Sequence, residues 1–389
     1  MNNYKTKILN YIKKFFNFIE DDIFIFNKIS KKDKIILLMR ADLIGDYVIS
    51  KDIFRLIKET KFKNYKIIFC GNISLKDFIL DFDKDYIDGY IPINLKKLTE
   101  EKYKKEIFKK INKYKYNFVI NYMPIRNGYS EYIIQNITSG EKVGIKGFNL
   151  NFTDEVKSKF DNFYDILFEC ENNSYDGCTV ELLEKLTNQK DLEYKHHFLL
   201  NEEIEKEITN KFNFPYSILF PSASYESKRL PFDKFLEIAK HLYENHNIKS
   251  ILCGAPNDLE IIKNFNIDLP YINNQIGNFK LSELPYLFKN AKIICTNDTC
   301  AMHIAKCVNK NILVFSNVQI VSAEYLKNYR IINGKQFYTI NTSGFNFIYP
   351  EENITEIING QKPTINKSLS TINLENAYQN IDNIIHKKL

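Results

Sequence analysis

The chain has 389 residues, of which 44% are hydrophobic, and it carries a net charge of +6. This length predicts two domains with full cores, and the charge permits contact with an anionic surface or substrate without requiring nucleic acid, for which no binding motif is present. No apolar run reaches the roughly 18 residues that a membrane span needs, and the first residues lack the features of a signal peptide. The seven cysteines form no CxxC pair. We therefore expect a cytoplasmic protein in a reducing compartment.

Residues 1–33 form an N-terminal extension with a basic amphipathic helix. From residue 4 to residue 19, apolar side chains recur at helical spacing with lysines beside them. Such a helix either contacts the inner face of the membrane peripherally or packs on the first domain, and the pattern leaves both interpretations open.

Residues 34–190 alternate strand and helix patterns, which is typical of a parallel, doubly wound sheet. The predicted strands are 34–40, 65–71, 86–91, 118–121 and 142–145, and the predicted helices are 47–59, 75–80, 97–113 and 129–137. Pro92 is expected to end the third strand, and residues 150–190 are expected to be mostly helical. The acidic run from Asp81 to Asp85 is expected to be solvated.

Residues 191–371 repeat this alternation, and residues 372–389 predict a last amphipathic helix. The predicted strands are 217–220, 249–253, 292–295 and 312–315, and the predicted helices are 233–245, 259–264 and 281–289. The fold class is therefore α/β with two Rossmann-like domains, and their boundary falls between about 187 and 212.

Ligands of such sheets bind beyond the carboxyl ends of the strands, where four loops carry polar side chains. In the first loop, Asp46 lies at the start of a helix and is either a cap or a general base. In the second, the hydroxyls of Ser222 and Ser224 and the ammonium of Lys228 suit a phosphate, unless the loop is merely solvated. In the third, Asp258 either contacts a ribose hydroxyl or caps its own turn.

The fourth loop joins a strand to a helix through Asp298 and Thr299. Both residue types cap helices, and the N-terminus of a helix after a strand suits an anion. His303 falls within about one turn of that end. The alternative is an ordinary capped helix with a packed histidine.

The absence of several motifs from the sequence disfavours particular classes of enzyme. There is no GxGxxG, GxxxxGK[ST] or GxSxG, which disfavours a nicotinamide dehydrogenase, a P-loop kinase and an α/β-hydrolase. No DxD pair follows a strand in the first domain, so we expect no metal on a diphosphate. Cys295, Cys300 and Cys307 have no recognisable zinc spacing and are interpreted as small buried residues.

Together, the four loops resemble the motifs of one enzyme family. Residues 40–46 (RADLIGD) resemble R-x-D-x-x-G-D, residues 221–231 resemble P-G-A-S-x-x-S-K-R-W-P, residues 253–258 are similar to G-G-P-x-D/E, and residues 297–303 resemble N-D-T-G-P-M-H. These are motifs of glycosyltransferase family 9, the ADP-heptose:lipopolysaccharide heptosyltransferases. The resemblance runs from about residue 34 to residue 315.

The resemblance implies a GT-B fold, in which two Rossmann-like domains with parallel sheets face a central cleft and the last helix packs back on the first domain. It implies an inverting, metal-independent glycosyltransferase that moves a sugar, heptose from ADP-heptose above all, onto a lipopolysaccharide or other cell-envelope glycan acceptor. It implies no cofactor besides the nucleotide-sugar donor. It also fits a cytoplasmic location with peripheral contact to the inner face of the membrane.

The resemblance also implies residue roles. Asp46 matches the general base, and Lys228, with Ser222 and Ser224, matches the diphosphate-binding loop. The remaining matches are donor-binding positions: Asp298, Thr299, His303 and, near the nucleotide ribose, Asp258.

Three departures from the motifs concern the donor. The family's Gly-Pro is Cys300-Ala301 here, its tryptophan is Leu230, and the glycine after Pro221 is Ser222. Because glycine permits close backbone approach to a ligand, the donor is expected to sit differently or to be another sugar. The alternatives are a glycosyltransferase with a different donor, a GT-B sugar-nucleotide hydrolase or epimerase, and a catalytically silent binding protein.

Overall fold

A computed structural model describes residues 23–150, 153–172, 174–309, 311–316, 331–332, 335–336, 346–348 and 369–386. The chain divides into two compact units, Met1–Lys195 and His196–Leu389. The sequence pattern placed the domain boundary after residue 190. The helix predicted at residues 4–19 lies outside the described residues.

The first unit is built on a seven-stranded sheet with the order β1-β4-β3-β2-β5-β7-β9. Its strands are β1 (Phe24–Ile25), β2 (Ile35–Arg40), β3 (Lys66–Asn72), β4 (Gly89–Ile93), β5 (Phe118–Asn121), β7 (Glu141–Ile145) and β9 (Ile166–Phe168), and β6 (Ile125–Asn127) pairs separately with β8 (Phe148–Leu150). Only the β1–β4 pair is antiparallel among these described strands. The order β4-β3-β2-β5-β7 is that of a Rossmann-like sheet.

Helices cover the sheet of the first unit. They are α1 (Ile44–Ser50), α2 (Ile53–Lys58), α3 (Lys76–Phe78), α4 (Glu101–Ile111), α5 (Gly128–Gln135), α6 (Asp154–Asp161) and α7 (Tyr175–Thr187). All six residues of β2 are buried, and Ile36 and Leu37, which point to opposite faces, are both wholly inaccessible. A continuous apolar run is what a central strand covered on both faces requires.

One prediction about the strands of this unit is wrong. Pro92 does not end the third strand but lies within β4, opposite Gly71 of β3. Strand β1 pairs only with Gly89 and Tyr90, so the missing N–H of Pro92 breaks no described ladder bond on that side. Residues 150–190 are mostly helical, as predicted, through α6 and α7, but Ile166–Phe168 also adds the edge strand β9 beside β7, which the sequence did not indicate.

The second unit is built on a six-stranded sheet with the order β12-β11-β10-β13-β14-β17, in which every pair is parallel. The strands are β10 (Tyr216–Phe220), β11 (Lys249–Leu252), β12 (Ile272–Asn274), β13 (Ile294–Asn297), β14 (Ile312–Phe315) and β17 (Asn346–Ile348), and β15 (Ile331–Ile332) pairs separately with β16 (Lys335–Gln336). The helices are α8 (Glu202–Thr209), α9 (Phe232–His246), α10 (Leu259–Ile262), α11 (Leu284–Lys289), α12 (Cys300–Lys306) and α13 (Leu374–His386). Its first five strands repeat the Rossmann-like order.

The last helix, α13, packs on the second unit, whereas the resemblance implied that it would pack on the first domain. Leu374, Ala377 and Ile381 recur at helical spacing and belong to the same buried cluster as Phe235 and Leu242 of α9. Burial of this apolar stripe is the physical reason for the correction.

No helix among the described residues combines the length and the apolar character that crossing a membrane would require.

Candidate functional site

The strand order of each sheet reverses beside its first long strand. Strand β2 lies between β3 and β5, and β10 lies between β11 and β13. At such a switch point, the connections after the two neighbouring strands leave toward opposite faces of the sheet and open a crevice at its carboxyl edge. The loop after β2 leads to Asp46, while Lys228 follows β10 and Asp298 follows β13. Three of the predicted site residues therefore lie at switch points.

An asparagine links the two loops at each switch point. In the first unit, Asn127 donates from Nδ2 to the carbonyl of Ala41 at 3.1 Å. In the second, the wholly buried Asn297 donates from Nδ2 to the carbonyl of Pro221 at 2.8 Å and accepts from the N–H of Leu230 at 3.0 Å. Both ends of the 221–230 loop are thereby tied to the end of β13.

Lys228 and Asp298 form an ion pair across the second switch point. The Nζ of Lys228 lies 3.0 Å from Oδ2 of Asp298, and both side chains are partly buried. The sequence assigned each residue to a donor-binding loop but gave no sign that they pair. The pair holds the ammonium over the start of α12, where a phosphate could take the place of the carboxylate.

Asp258 is engaged by its own surroundings. Its Oδ1 accepts a hydrogen bond from Oγ of Ser222 at 2.8 Å, and its Oδ2 accepts one from the N–H of Ala255 at 2.7 Å. A Cβ at Gly254 would lie only 2.7 Å from that Oδ2, so glycine is needed for the close approach. The bond from Ala255 matches the alternative in which Asp258 caps its own turn. The bond from Ser222 connects the second loop to the third. Ser224 is exposed in the second loop.

The start of α12 differs from the capped helix that the sequence suggested. Thr299 occupies the N-cap position with extended backbone, but its side chain makes no capping hydrogen bond. Cys300 follows it as the first helical residue, and burial raises the pKa of its thiol above the ordinary value. The thiol is therefore neutral at physiological pH and adds no negative charge beside Asp298.

His303 faces the Lys228–Asp298 pair as a neutral imidazole. Burial lowers the pKa of His303 to about 4, Asp298 opposes this shift, and Lys228 adds to it. Its Nδ1 is buried and has no hydrogen-bond partner within the described part of the chain. An unsatisfied ring nitrogen beside a lysine is a suitable contact for a polar ligand atom.

In the first unit, Asp46 lies in the first turn of α1 and is partly buried. The N-cap position of this helix belongs to Leu43, so Asp46 is not its N-cap residue. The backbone carbonyl of Asp46 accepts a hydrogen bond from Oγ of Ser50 at 2.6 Å. The sequence left open whether Asp46 caps the helix or acts as a base, and the structure excludes only the N-cap position for it.

Arg40 and Asp42 form a buried pair in the same loop, which the sequence analysis did not assign to the site. The guanidinium of Arg40 is inaccessible to solvent and binds the carboxylate of Asp42 through Nε at 2.9 Å and Nη2 at 2.6 Å. Its carbon lies 5.1 Å from the ring centre of Tyr122 and 5.0 Å from that of Tyr175. The R-x-D part of the motif was the available signal, but only burial shows that the two side chains face each other.

Asp42 is a second titratable carboxyl near Asp46. Burial raises the pKa of Asp42 to about 7, Arg40 lowers it, and the charge of Asp46 raises it again. The Nη1 of Arg40 and the hydroxyl of Tyr122 are buried and make no hydrogen bond to any described residue. The carboxyls of Asp42 and Asp46 therefore influence each other electrostatically in a loop that also holds two buried donors without a described partner.

Asp83 is buried against residues of α1 and its C-terminal end, whereas the sequence predicted that the acidic run from Asp81 to Asp85 is solvated. Only 1% of Asp83 is exposed, and its carboxylate binds Nζ of Lys51 at 2.9 Å and the hydroxyl of Tyr47. Burial raises the pKa of Asp83. The sequence pattern could not reveal this contact, because its partners lie more than 30 residues upstream.

A cavity of about 550 Å³ lies in the first unit. Its lining combines aliphatic, aromatic and cationic side chains: Leu98, Thr99, Lys104, Gly128, Tyr129 and Tyr132. Gly128 directly follows Asn127, which bonds to Ala41, so the cavity is connected to the Asp42–Asp46 loop by one hydrogen bond.

The two Rossmann-like units are those of the GT-B fold, with Asp46 at the switch point of the first and Lys228 at that of the second. Residues 176–337 match the model of glycosyltransferase family 9 (heptosyltransferase). This match confirms, over residues 176–337 of the 389-residue chain, the family resemblance that the motifs predicted, and it supports a glycosyltransferase. A comparison with curated proteins finds no match.

Solved structures share the fold at low sequence identity. A family 9 glycosyl transferase from Veillonella parvula is 18% identical with a TM-score of 0.68, covering 92% of this chain and 99% of that one. The ADP-heptose lipopolysaccharide heptosyltransferase II of E. coli is 16% identical with a TM-score of 0.62, covering 91% and 99%. A UDP-GlcNAc 2-epimerase from Methanocaldococcus jannaschii is 13% identical with a TM-score of 0.50, covering 91% and 99%.

Proposed function

We propose that the protein is an inverting, metal-independent glycosyltransferase that moves heptose from ADP-heptose onto a lipopolysaccharide or other cell-envelope glycan. The observation that carries the proposal is the cluster of Lys228, Asp298 and His303 at the switch point of the sheet in the unit that the family model matches. The reaction would take place in the cytoplasm, at the inner face of the membrane where such acceptors are built.

In the proposed reaction, an acceptor hydroxyl attacks C1 of the sugar, and the bond from C1 to the diphosphate oxygen breaks. Asp46 takes the hydroxyl proton, a role that suits a partly buried carboxylate at a strand's carboxyl end. Because the attack comes from the face opposite the leaving group, the configuration at C1 inverts.

The departing diphosphate gains negative charge, which needs preorganised stabilisation. Lys228 would supply it by exchanging the carboxylate of Asp298 for phosphate oxygens, with Ser222 and Ser224 as hydroxyl donors from the same loop. Neutral His303 and the N–H groups at Thr299 would add hydrogen bonds without a further charge. In this proposal, these groups do the work that a divalent cation does in other transferases.

The acceptor would occupy the cavity in the first unit. Tyrosine rings suit the apolar faces of a sugar, and Lys104 suits an anionic substituent on it. Asp258 would contact the nucleotide ribose only if it releases Ser222, since both of its oxygens are engaged.

The test follows release of ADP from ADP-heptose in the presence of an envelope extract as the source of acceptor. We expect acceptor-dependent release by the wild type and a loss of roughly 10²–10⁴-fold in kcat for Asp46→Asn, since the base is gone and the shape is kept. Asp233→Asn, which changes an exposed carboxylate in the first turn of α9, is the matched control and should leave the rate unchanged.

Each other outcome corrects a different part of the proposal. A fully active Asp46→Asn variant would remove the base assignment. Release without acceptor would indicate a sugar-nucleotide hydrolase. Release of nucleotide from a UDP-, GDP- or CMP-sugar but not from ADP-heptose would show that the donor is a different nucleotide sugar. It would also implicate Cys300 in donor specificity, because the family has glycine at this position.

A further inference from the structure

Three polar side chains meet where α13 packs on α9, far from the loops discussed so far. The Nε2 atoms of His241 and His246 lie 2.8 Å and 2.7 Å from the same oxygen, Oδ1 of Asp382. The two imidazoles are largely buried, with 16% and 6% of their side chains exposed. One carboxylate oxygen thus receives two ring nitrogens from a neighbouring helix.

Histidine is concentrated at this contact. The chain has six histidines, and three of them, His241, His246 and His386, lie here. The ring of His246 is 5.8 Å from that of His241 and 5.5 Å from that of His386, centre to centre. Asp382 and His386 are four residues apart on α13 and therefore share one face of that helix.

We infer that His241, His246 and Asp382 form a site for a divalent transition-metal ion of the zinc class. Two imidazole nitrogens and a carboxylate oxygen are a typical protein ligand set for such ions. One ligand atom from each residue falls within 4.8 Å of the other two. Small side-chain shifts bring three such atoms to the 2.0–2.2 Å that zinc bonds require, and His386 is the nearest further imidazole.

The surroundings supply what bound imidazoles need. A metal-bound ring usually donates its other N–H to an oxygen, which fixes the tautomer. The Nδ1 of His241 lies 3.1 Å from Nδ2 of Asn245, which also donates to the carbonyl of His241 at 3.1 Å, so this amide must give up that bond before its oxygen can accept from an Nδ1–H. His246 is the last residue of α9, where the helix dipole favours a cation.

The role of this site is structural. Helix α9 begins directly after the 221–231 loop, and His246 lies some 20 Å further along the helix at 1.5 Å per residue. A metal bound there would be too far away to touch a ligand held by Lys228. It would instead strengthen the contact between α13 and α9, which already share a buried cluster through Ala377 and Ile381. The inference is therefore independent of the proposed transfer reaction.

The test titrates Zn²⁺ into the full-length protein, stripped with EDTA, in competition with a chromophoric chelator. We expect one tight equivalent in the wild type. His246→Asn and Asp382→Asn should each weaken it by at least about a hundredfold, because each removes a ligand. His197→Asn, which removes a histidine outside the cluster, should bind like the wild type.

A second measurement keeps the inference testable if a variant folds poorly. Zn²⁺ should raise the Tm of the wild type in a concentration-dependent way, and circular dichroism identifies which ligand variants are folded. Absence of a tight equivalent in the wild type would overturn the inference. So would equally tight binding in the folded ligand variants, which would place the metal elsewhere, for example at the partly exposed Cys300 and Cys307.

Discussion

Lys228 and Asp298 are 70 residues apart in the chain, yet their side chains meet at 3.0 Å over the start of α12. The lysine comes from the loop after β10 and the aspartate from the turn after β13, and these strands are neighbours in the sheet. The ion pair therefore joins the two loops at the switch point of the second unit and holds the cation in place before any ligand binds.

Replacing this lysine should impair the transfer step more than folding. Lys228→Met keeps the length of the side chain but removes the charge that we assign to the leaving diphosphate. We expect kcat to fall by roughly 10²–10³-fold, the usual effect of losing one such donor, while the Tm changes little because the pair is partly exposed. Steady-state rates and thermal unfolding measure both effects. Lys240→Met, at an exposed position on α9, is the control, and equal rates in the two variants would contradict the assignment.

The neutral state of His303 should appear in the pH dependence of stability. Because burial lowers its pKa to about 4, the folded protein leaves His303 unprotonated at pH values where the unfolded chain, with a histidine pKa near 6.5, takes up a proton. The free energy of unfolding should therefore fall as the pH drops from about 6.5 toward 4, by at most about 1.4 kcal/mol per pH unit for this group.

Urea unfolding at several pH values measures this slope. His303→Gln cannot take up the proton, so its slope in the same window should be smaller than that of the wild type. Identical slopes for the two proteins would show that the imidazole is not held neutral by burial.

Removing the buried guanidinium of Arg40 should destabilise the first unit. Arg40→Met leaves the carboxylate of Asp42 without its cation between two tyrosine rings, at a cost of about 3 kcal/mol. Arg40→Lys keeps the charge but loses the two-point contact, and it should cost less. The free energies of unfolding rank the three proteins. A wild-type value for Arg40→Met would mean that the pair contributes nothing to stability.

The effects on the free energy of unfolding of replacing Lys51 and Asp83, which form an ion pair beside α1, should depend on each other. Lys51→Met and Asp83→Leu each leave one buried charge alone and should each cost about 3 kcal/mol. The double variant removes both charges, so its cost should be well below the sum of the two. Asp85→Ala, an exposed neighbour in the same acidic run, should be nearly neutral. Simple additivity of the two single costs would argue against a direct interaction.

The local patterns that the sequence shows directly were predicted well. Apolar runs such as 217–220 and 312–315 fall on described strands, because a strand covered on both faces must be apolar throughout. The helix predicted at 233–245 matches α9 within one residue at each end. The four motifs also indicated the family whose model matches residues 176–337, since their order along the chain is a property of sequence alone.

Properties that depend on residues distant in the sequence were predicted wrongly or not at all. Because Asp83 lies in an acidic run, the sequence predicted that it is solvated, but in the structure it is buried against Lys51. The last helix was assigned to the wrong unit because an apolar stripe shows that a helix is buried but not which surface covers it. The neutral state of His303 likewise follows only from its burial.

The sequence by itself determined the α/β class, the strand-bearing segments, the family resemblance and the candidate residues, because periodicity and motif order are local properties of a chain. The tertiary structure decided which loops meet, since strand order places β13 next to β10 across more than 70 residues. It also decided which charges are buried and how they are paired. Those contacts depend on long-range packing, and it is this packing that pairs Lys228 with Asp298 and Asp382 with two histidines.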